Sequence, residues 1–222
     1  MPKIKGTIIP NDYQFAYDYF GIEATSPAKL EKELKEANSA AVTVDINSPG
    51  GYLTAGIEMY DLMQKYGGDL TIDIVGQAGS AASVAAMARR CRMTVSGMMM
   101  IHNVSGSANG DYRTMNHTSE VLKTANKAIS NAYQAKTGKS TEELLRLMNA
   151  ETWMDAERAL SEGFIDEIIQ PHTQLLNHTG IIIPEDTIEK LKNTLRDQPK
   201  ETADFFISKF NLLKMKGQVN DV

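Results

Sequence analysis

Residues 42–75, VTVDINSPGGYLTAGIEMYDLMQKYGGDLTIDIV, change hydrophobic period twice. Val42, Val44 and Ile46 alternate with Thr43 and Asp45, the two-residue repeat of a strand. From Ala55 onward Ile57, Tyr60 and Met63 recur at helical spacing until Gly67-Gly68 stops them, and Leu70, Ile72, Ile74 and Val75 give a second strand. Between the first strand and the helix, Asn47-Ser48-Pro49-Gly50-Gly51 is expected to break off the strand in a special turn. Strand, helix and strand at this spacing favour a right-handed crossover and a mainly parallel sheet, so the class is α/β.

The next segment, GQAGSAAS (76–83), leads straight from the second strand into an Ala-rich run that reads as a helix buried on most sides, Ser80 to Ala88. A sharp strand-to-helix turn suits a nucleophilic serine. It exposes Oγ, and the N–H groups that follow, at a positively polarised helix start, can bind an oxyanion. Ser80 occupies that turn. Ser83, about one helical turn further on, is better placed to bond a backbone carbonyl. The same small residues would also serve close packing of a helix on a strand, so Ser80 needs partners before it means chemistry.

Outward from this centre, Lys3 to Pro10 is a short apolar segment, and Thr25-Ser26-Pro27 opens an amphipathic helix, Ala28 to Ala37. Thr94 to Val95 and Met98 to Ile101 supply further short strands. A long helix follows from Asp111 to Thr137, in which Met115, Thr118, Leu122, Ala125, Ile129 and Ala132 form a narrow stripe that requires a partner, with Gly138 as its stop. Ser140-Thr141-Glu142-Glu143 is a capping box, Asp155 can cap the next helix, and Gly163 ends it before the strand-like Phe164 to Ile169. The compact domain is expected to cover residues 1–170. Residues 171–222 form an extension with helices over Pro184 to Arg196 and Glu201 to Met215, the second carrying Phe206, Phe210 and Leu213 on one side.

The composition excludes several classes. With 42% hydrophobic and 23% charged residues and a formal net charge of −5 over 222 residues, the chain reads as a globular protein without the basic surface that nucleic acid requires. No run approaches the roughly 18 apolar residues of a membrane span, and the first twenty residues lack the apolar core of a signal peptide, so a cytoplasmic location is expected. The single cysteine, Cys91, excludes an internal disulfide and cannot anchor zinc by itself. Neither GxxxxGK[ST] nor GxGxxG is present at the glycine-rich turn, so it is not a phosphate loop; no cofactor or metal is expected.

A nucleophilic serine needs a base, and there are four histidines: His102, His117, His172 and His178. His102 follows the apolar strand Met98 to Ile101, whose tip can lie beside that of the preceding strand, where α/β sites gather. His117 sits on the long helix among charged neighbours, and His172 and His178 lie beyond the compact part. Acids that could orient the base include Asp45, Glu151, Asp155 and Asp166, and spacing does not choose among them. Gly50-Gly51 lets a backbone approach a substrate and present a free N–H, as an oxyanion hole or peptide-binding edge does, and it would equally serve an ordinary turn.

Taken together and in order, INSPGGYLTAGIEMYDLMQ (46–64), GQAGSAAS (76–83), MMMIHN (98–103) and GFID (163–166) resemble the Clp protease proteolytic subunit family, over about Lys3 to Gln170. KGTIIPND (5–12), YDYFGIEATSPAKLEKEL (17–34) and ETWMDAERALSEGFIDEI (151–168) are closer to the Clp-like peptidases of phages and prophages. The resemblance implies a ClpP/crotonase-type fold of stacked βαβ units with a handle helix, for which residues 111–137 fit. It implies a serine endopeptidase with Ser80 as nucleophile, His102 as base, and the N–H groups of Gly51 and Ala81 as oxyanion donors. The family's catalytic aspartate aligns with Glu151, with Asp155 as the fallback. It further implies homo-oligomeric rings, possibly stacked, acting on protein or peptide substrates. In the phage setting these would be capsid or scaffold proteins; the alternative is a chambered subunit fed by a Clp ATPase. A crotonase-like acyl-CoA enzyme would share the fold, but the joint Ser80 and His102 motifs argue against it. A non-enzymatic ring component has only the Glu151 replacement in its favour.

Overall fold

In a computed structural model that describes residues 1–170 and 183–196, eight strands of the described residues form one sheet. They are β1 (Lys3–Ile8), β2 (Ala24–Thr25), β3 (Val42–Gly51), β4 (Leu70–Gly79), β5 (Arg90–Thr94), β6 (Met98–Ile101), β7 (Thr152–Met154) and β8 (Glu167–Ile169). The order is β2-β1-β3-β4-β5-β8, with β6 joined to the far half of β4 and β7 to β6. Every pairing is parallel except β6 with β7. The helices are α1 (Gln14–Tyr19), α2 (Pro27–Glu36), α3 (Leu53–Gln64), α4 (Ala81–Ala86), α5 (Tyr112–Thr137), α6 (Thr141–Asn149), α7 (Ala156–Ser161) and α8 (Glu185–Arg196).

The alternation of residues 42–46 and 70–75 places Val44, Ile46, Ile72 and Ile74 in the core with no exposed surface, each contributing roughly 2 kcal/mol by burial. The expected break after Ile46 does not occur. β3 runs on through Ser48-Pro49-Gly50-Gly51, and β4 through Gly76 to Gly79, because bulges absorb the irregular residues within the ladder. Lys5 faces Asn47 but Thr7 faces Gly50, so β3 takes three steps where β1 takes two. Ile46 faces Ile74 but Ser48 faces Ala78, so β4 takes four steps against two. Asn47 fills the bend: its Oδ1 accepts from Gln77 N–H at 3.1 Å. Beyond the bend β4 changes neighbour, pairing with β5 as far as Ile74–Met93 and with β6 from Gln77–Met98. That exchange sets the tips of β4 and β6 side by side.

The helix signals act locally as read. Ser26 Oγ accepts from Lys29 N–H and Pro27 stands in the first turn of α2. Asp111 accepts from Arg113 and Thr114 N–H to open α5, and Gly138, at φ 72°, closes it. Ser140 caps α6 through Glu143 N–H, but the reciprocal half of the capping box is missing because the Glu143 carboxylate bonds Lys139 instead. Only the C-terminal part of α5 is packed, through Ile129, Ser130 and Tyr133; Tyr112, Met115 and Val121 are exposed. In the extension, Ile183 and Ile188 bury against Ile9, Tyr13, Ala16 and Tyr17. The expected helix carrying Phe206, Phe210 and Leu213 lies outside the described residues. No helix of the described residues is long and apolar enough to cross a membrane.

Asp45 on β3 faces Asp73 on β4, whose carboxylate forms a two-pronged pair with Arg92 on β5 at 2.7 and 2.8 Å. Burial and then the Asp73 charge raise the Asp45 carboxyl above its ordinary range, against the partial relief of Lys3 and Lys5. A raised carboxyl favours the folded state while protonated and loses that contribution as pH rises through its folded value. Asp45→Asn should therefore stabilise the protein at neutral pH, and the gain should vanish as the pH falls below about 4. Thermal denaturation of both forms between pH 3.5 and 7 measures this; an equal difference at every pH would contradict it.

Candidate active site

Ser80 stands between the last residue of β4 and the first of α4, at φ 50° and ψ −122°. A side chain at positive φ costs of order 1–3 kcal/mol and persists only where its surroundings enforce it. Here Ser80 N–H donates to Met100 O at 2.9 Å, continuing the β4–β6 ladder, and Ser80 O accepts from Ser83 N–H at 3.0 Å and Val84 N–H at 3.3 Å. His102 lies two residues past Met100. Its Nε2 is 2.7 Å from Ser80 Oγ. The two side chains meet because parallel neighbours end together, although 22 positions separate them in the chain.

A cavity of about 270 Å³ opens at this pair, lined by both residues and by Gly51, Ala81, Tyr52 and Leu53, with Val84, Val104, Ile129 and Tyr133 on its apolar side. Gly51 and Ala81, the expected oxyanion donors, thus face the same space as Ser80 Oγ. The turn glycines are demanded by contact as well as by conformation. A Cβ on Gly51 would lie 2.1 Å from Ile8 O, and one on Gly50 would lie 2.7 Å from Ser80 Cβ and 2.9 Å from Ala81 N. Gly50 was not singled out from its neighbour by the sequence; only the folded contact distinguishes them.

The acids fall in different places. β7 runs antiparallel to β6 with Ile101 opposite Thr152, so His102 is the residue after β6 and Glu151 the residue before β7, next to the last pair of the ladder. Glu151 adopts φ 45°, and its carboxylate accepts from the Trp153 indole N–H at 3.4 Å. Asp155 caps α7 through Arg158 N–H at 2.8 Å. Asp166 pairs with Lys136 and accepts from Cys91 N–H at 2.7 Å, tying α5 to the start of β5. Asp45 sits on the central strands beside Asp73. Among the described residues, His102 hydrogen-bonds to Ser80 and to none of these carboxylates. His117 is exposed on α5, and His172 and His178 lie outside the described residues.

Cys91 is buried, which pushes its thiol up to about 12 and leaves it without a thiolate at neutral pH. Among the described residues no group of three or more His, Cys, Asp or Glu side chains could hold a metal ion. Tyr133, a wall of the cavity, was not read from the sequence. Its spacing of four from Ile129 on the helix was the available signal.

Fold and site together define an α/β protein with a Ser–His pair at the mouth of a cavity. A family model described as Clp protease matches residues 29–172. The ATP-dependent Clp protease proteolytic subunit 2 of Chlamydia trachomatis serovar D is 32% identical over 159 residues, covering 67% of this chain and 78% of the relative. The ATP-dependent Clp protease proteolytic subunit 1 of Chlamydia felis is 31% identical over the same shares. Among solved structures, a point mutant of ClpP1 from Listeria monocytogenes aligns with a TM-score of 0.62 at 20% identity, over 77% of this chain and 91% of that one, a likeness of fold. The chain belongs to the Clp protease family, whose members are serine peptidases. The family is the one expected from the motifs; the closeness to phage and prophage members has no counterpart in these relatives.

Proposed function

We propose that this chain is a serine endopeptidase of the Clp proteolytic-subunit type, and the observation that carries the proposal is the 2.7 Å contact between Ser80 Oγ and His102 Nε2 at the cavity mouth. In this reading Ser80 Oγ attacks the scissile carbonyl carbon while His102 Nε2 takes its proton. The carbonyl oxygen becomes an oxyanion, held by the N–H groups of Gly51 and Ala81. Collapse expels the amine, which receives the proton from His102, and water then hydrolyses the acyl ester with His102 again as base. Accepting at Nε2 requires the His102 proton on Nδ1, and Glu151, the residue before β7 as His102 is the residue after β6, is the acid that would take that N–H once its side chain leaves Trp153. Asp155 is the weaker candidate because capping α7 already occupies it.

Clp subunits form oligomeric rings and work with Clp ATPases. The uncovered apolar positions of α5, Met115 and Val121, support such an assembly for this chain. The ATPase setting is favoured over capsid or scaffold processing because the relatives are named as subunits of an ATP-dependent protease. A fluorophosphonate probe tests the chemistry. The native assembly should be labelled on Ser80, as located by peptide mass mapping, and an unlabelled assembly or an adduct on another residue would sink the proposal.

A further inference from the structure

The carbonyl of Ser80 is held by more than the backbone of α4. Ser83 Oγ lies 2.6 Å from Ser80 O, and the same Oγ lies 2.8 Å from the hydroxyl of Tyr133 on α5, fifty residues away. Both side chains are buried, Ser83 at 0% exposure and Tyr133 at 1%. A carbonyl oxygen only accepts, so the one hydroxyl proton of Ser83 points at Ser80 O, and the bond to Tyr133 must be donated by the tyrosine. The chain of donors therefore has one direction: Tyr133 O–H to Ser83 Oγ, Ser83 O–H to Ser80 O. Burial raises the Tyr133 phenol, so it stays protonated and able to donate at neutral pH.

We infer that Ser83 and Tyr133 are positioning residues that clamp the strained Ser80 elbow and aim its Oγ at His102. A serine bonding back to a carbonyl three residues earlier is common in helices and is ordinarily idle. Here the acceptor belongs to a residue at φ 50°, whose conformation must be enforced from outside. Ser80 N–H to Met100 O fixes one side of that residue, and Ser83 Oγ reinforces the other. Donation from Tyr133 polarises the Ser83 hydroxyl and makes it a stronger donor. The clamp also joins the elbow to the packed end of α5, which carries Ile129 and Tyr133 into the wall of the same cavity. The inference rests on the reading of Ser80 as nucleophile.

The test uses Ser83→Ala, Tyr133→Phe and the double variant in the native assembly, with fluorophosphonate labelling rate, kcat and KM on a peptide substrate, and assembly mass. Ser83→Ala should slow labelling and lower kcat by about tenfold with KM unchanged, and Tyr133→Phe by about threefold. In the Ser83→Ala background, Tyr133→Phe should have no further effect on labelling, because the tyrosine acts only through the serine. A merely structural role would instead lower thermal stability in both singles without the kcat–KM split. Labelling of Ser83→Ala at the wild-type rate, or an equal loss from Tyr133→Phe in both backgrounds, would overturn the inference. If wild type itself is not labelled, the nucleophile reading fails. The clamp is then judged by amide hydrogen exchange: exchange at Val84, whose N–H also bonds Ser80 O, should be faster in Ser83→Ala than in wild type after correction for intrinsic rates, and unchanged exchange overturns it.

Discussion

His102→Gln should lower peptide-bond turnover by at least about 10⁴-fold while leaving the assembly and its melting temperature unchanged. The size follows from what surrounds Ser80. Among the described residues no Asp, Glu or Lys lines the cavity, and its other titratable side chains there are Tyr52 and Tyr133. The Tyr133 hydroxyl is buried and committed to Ser83. Among the described residues none of the other lining groups is placed to take the Ser80 proton as the imidazole 2.7 Å away is. Glutamine keeps the bulk of the imidazole and a polar end but has no basic nitrogen, so the variant isolates proton transfer from packing. Stopped or steady-state peptide cleavage, normalised to assembled protein, reads the effect; turnover within tenfold of wild type would refute His102 as the base.

Gly50→Ala carries the second large expectation, a loss of about 100-fold in kcat/KM together with a destabilisation of about 2–4 kcal/mol. Two effects combine. At φ 103° any side chain is strained, and the added Cβ would stand 2.6 Å from Gly79 O, 2.7 Å from Ser80 Cβ and 2.9 Å from Ala81 N. These are backbone atoms and a Cβ, which cannot swing aside as the end of a long side chain could. The bulge of β3 or the Ser80 elbow must move, and either displaces the Ala81 N–H relative to Ser80 Oγ. Gly21→Ala supplies the control: it is also at positive φ, 64°, but a Cβ there meets nothing within 4 Å. It should cost about 1 kcal/mol and leave kcat/KM intact. Equal activity losses in the two variants would show that strain alone is responsible and that Gly50 does not seat the elbow.

Both expectations depend on features that differ in how far they can be read along the chain. The periods of residues 42–75, the Asp111 and Ser140 caps and the glycine stop at Gly138 are local rules; the helices and the strand starts follow them to within about two residues, while β3 and β4 run four to five residues past their read ends. Ser80 and His102 were readable as a pair because each sits at the end of an apolar strand, where parallel neighbours bring their tips together. Residues 47–51 misled. Glycine and proline signal a turn, yet the register between three strands absorbed them as bulges, and pairing energy from both neighbours outweighs the local preference. Nor does spacing choose the acid. Glu151 flanks β7 as His102 flanks β6 only through the antiparallel β6–β7 register, and its carboxylate bonds Trp153 two residues on.

The α/β class, the order of its elements and the candidacy of Ser80, His102 and the glycine pair were legible in the sequence alone, because hydrophobic period and caps act over a few residues and the motifs together resemble a known family. Tertiary structure alone decided that β4 exchanges β5 for β6 at its bend, that Gly50 touches Ser80, and that Tyr133 reaches Ser83 across fifty positions. Each of those is a contact between distant segments, and its geometry exists only once the sheet has set their register and brought α5 against α4.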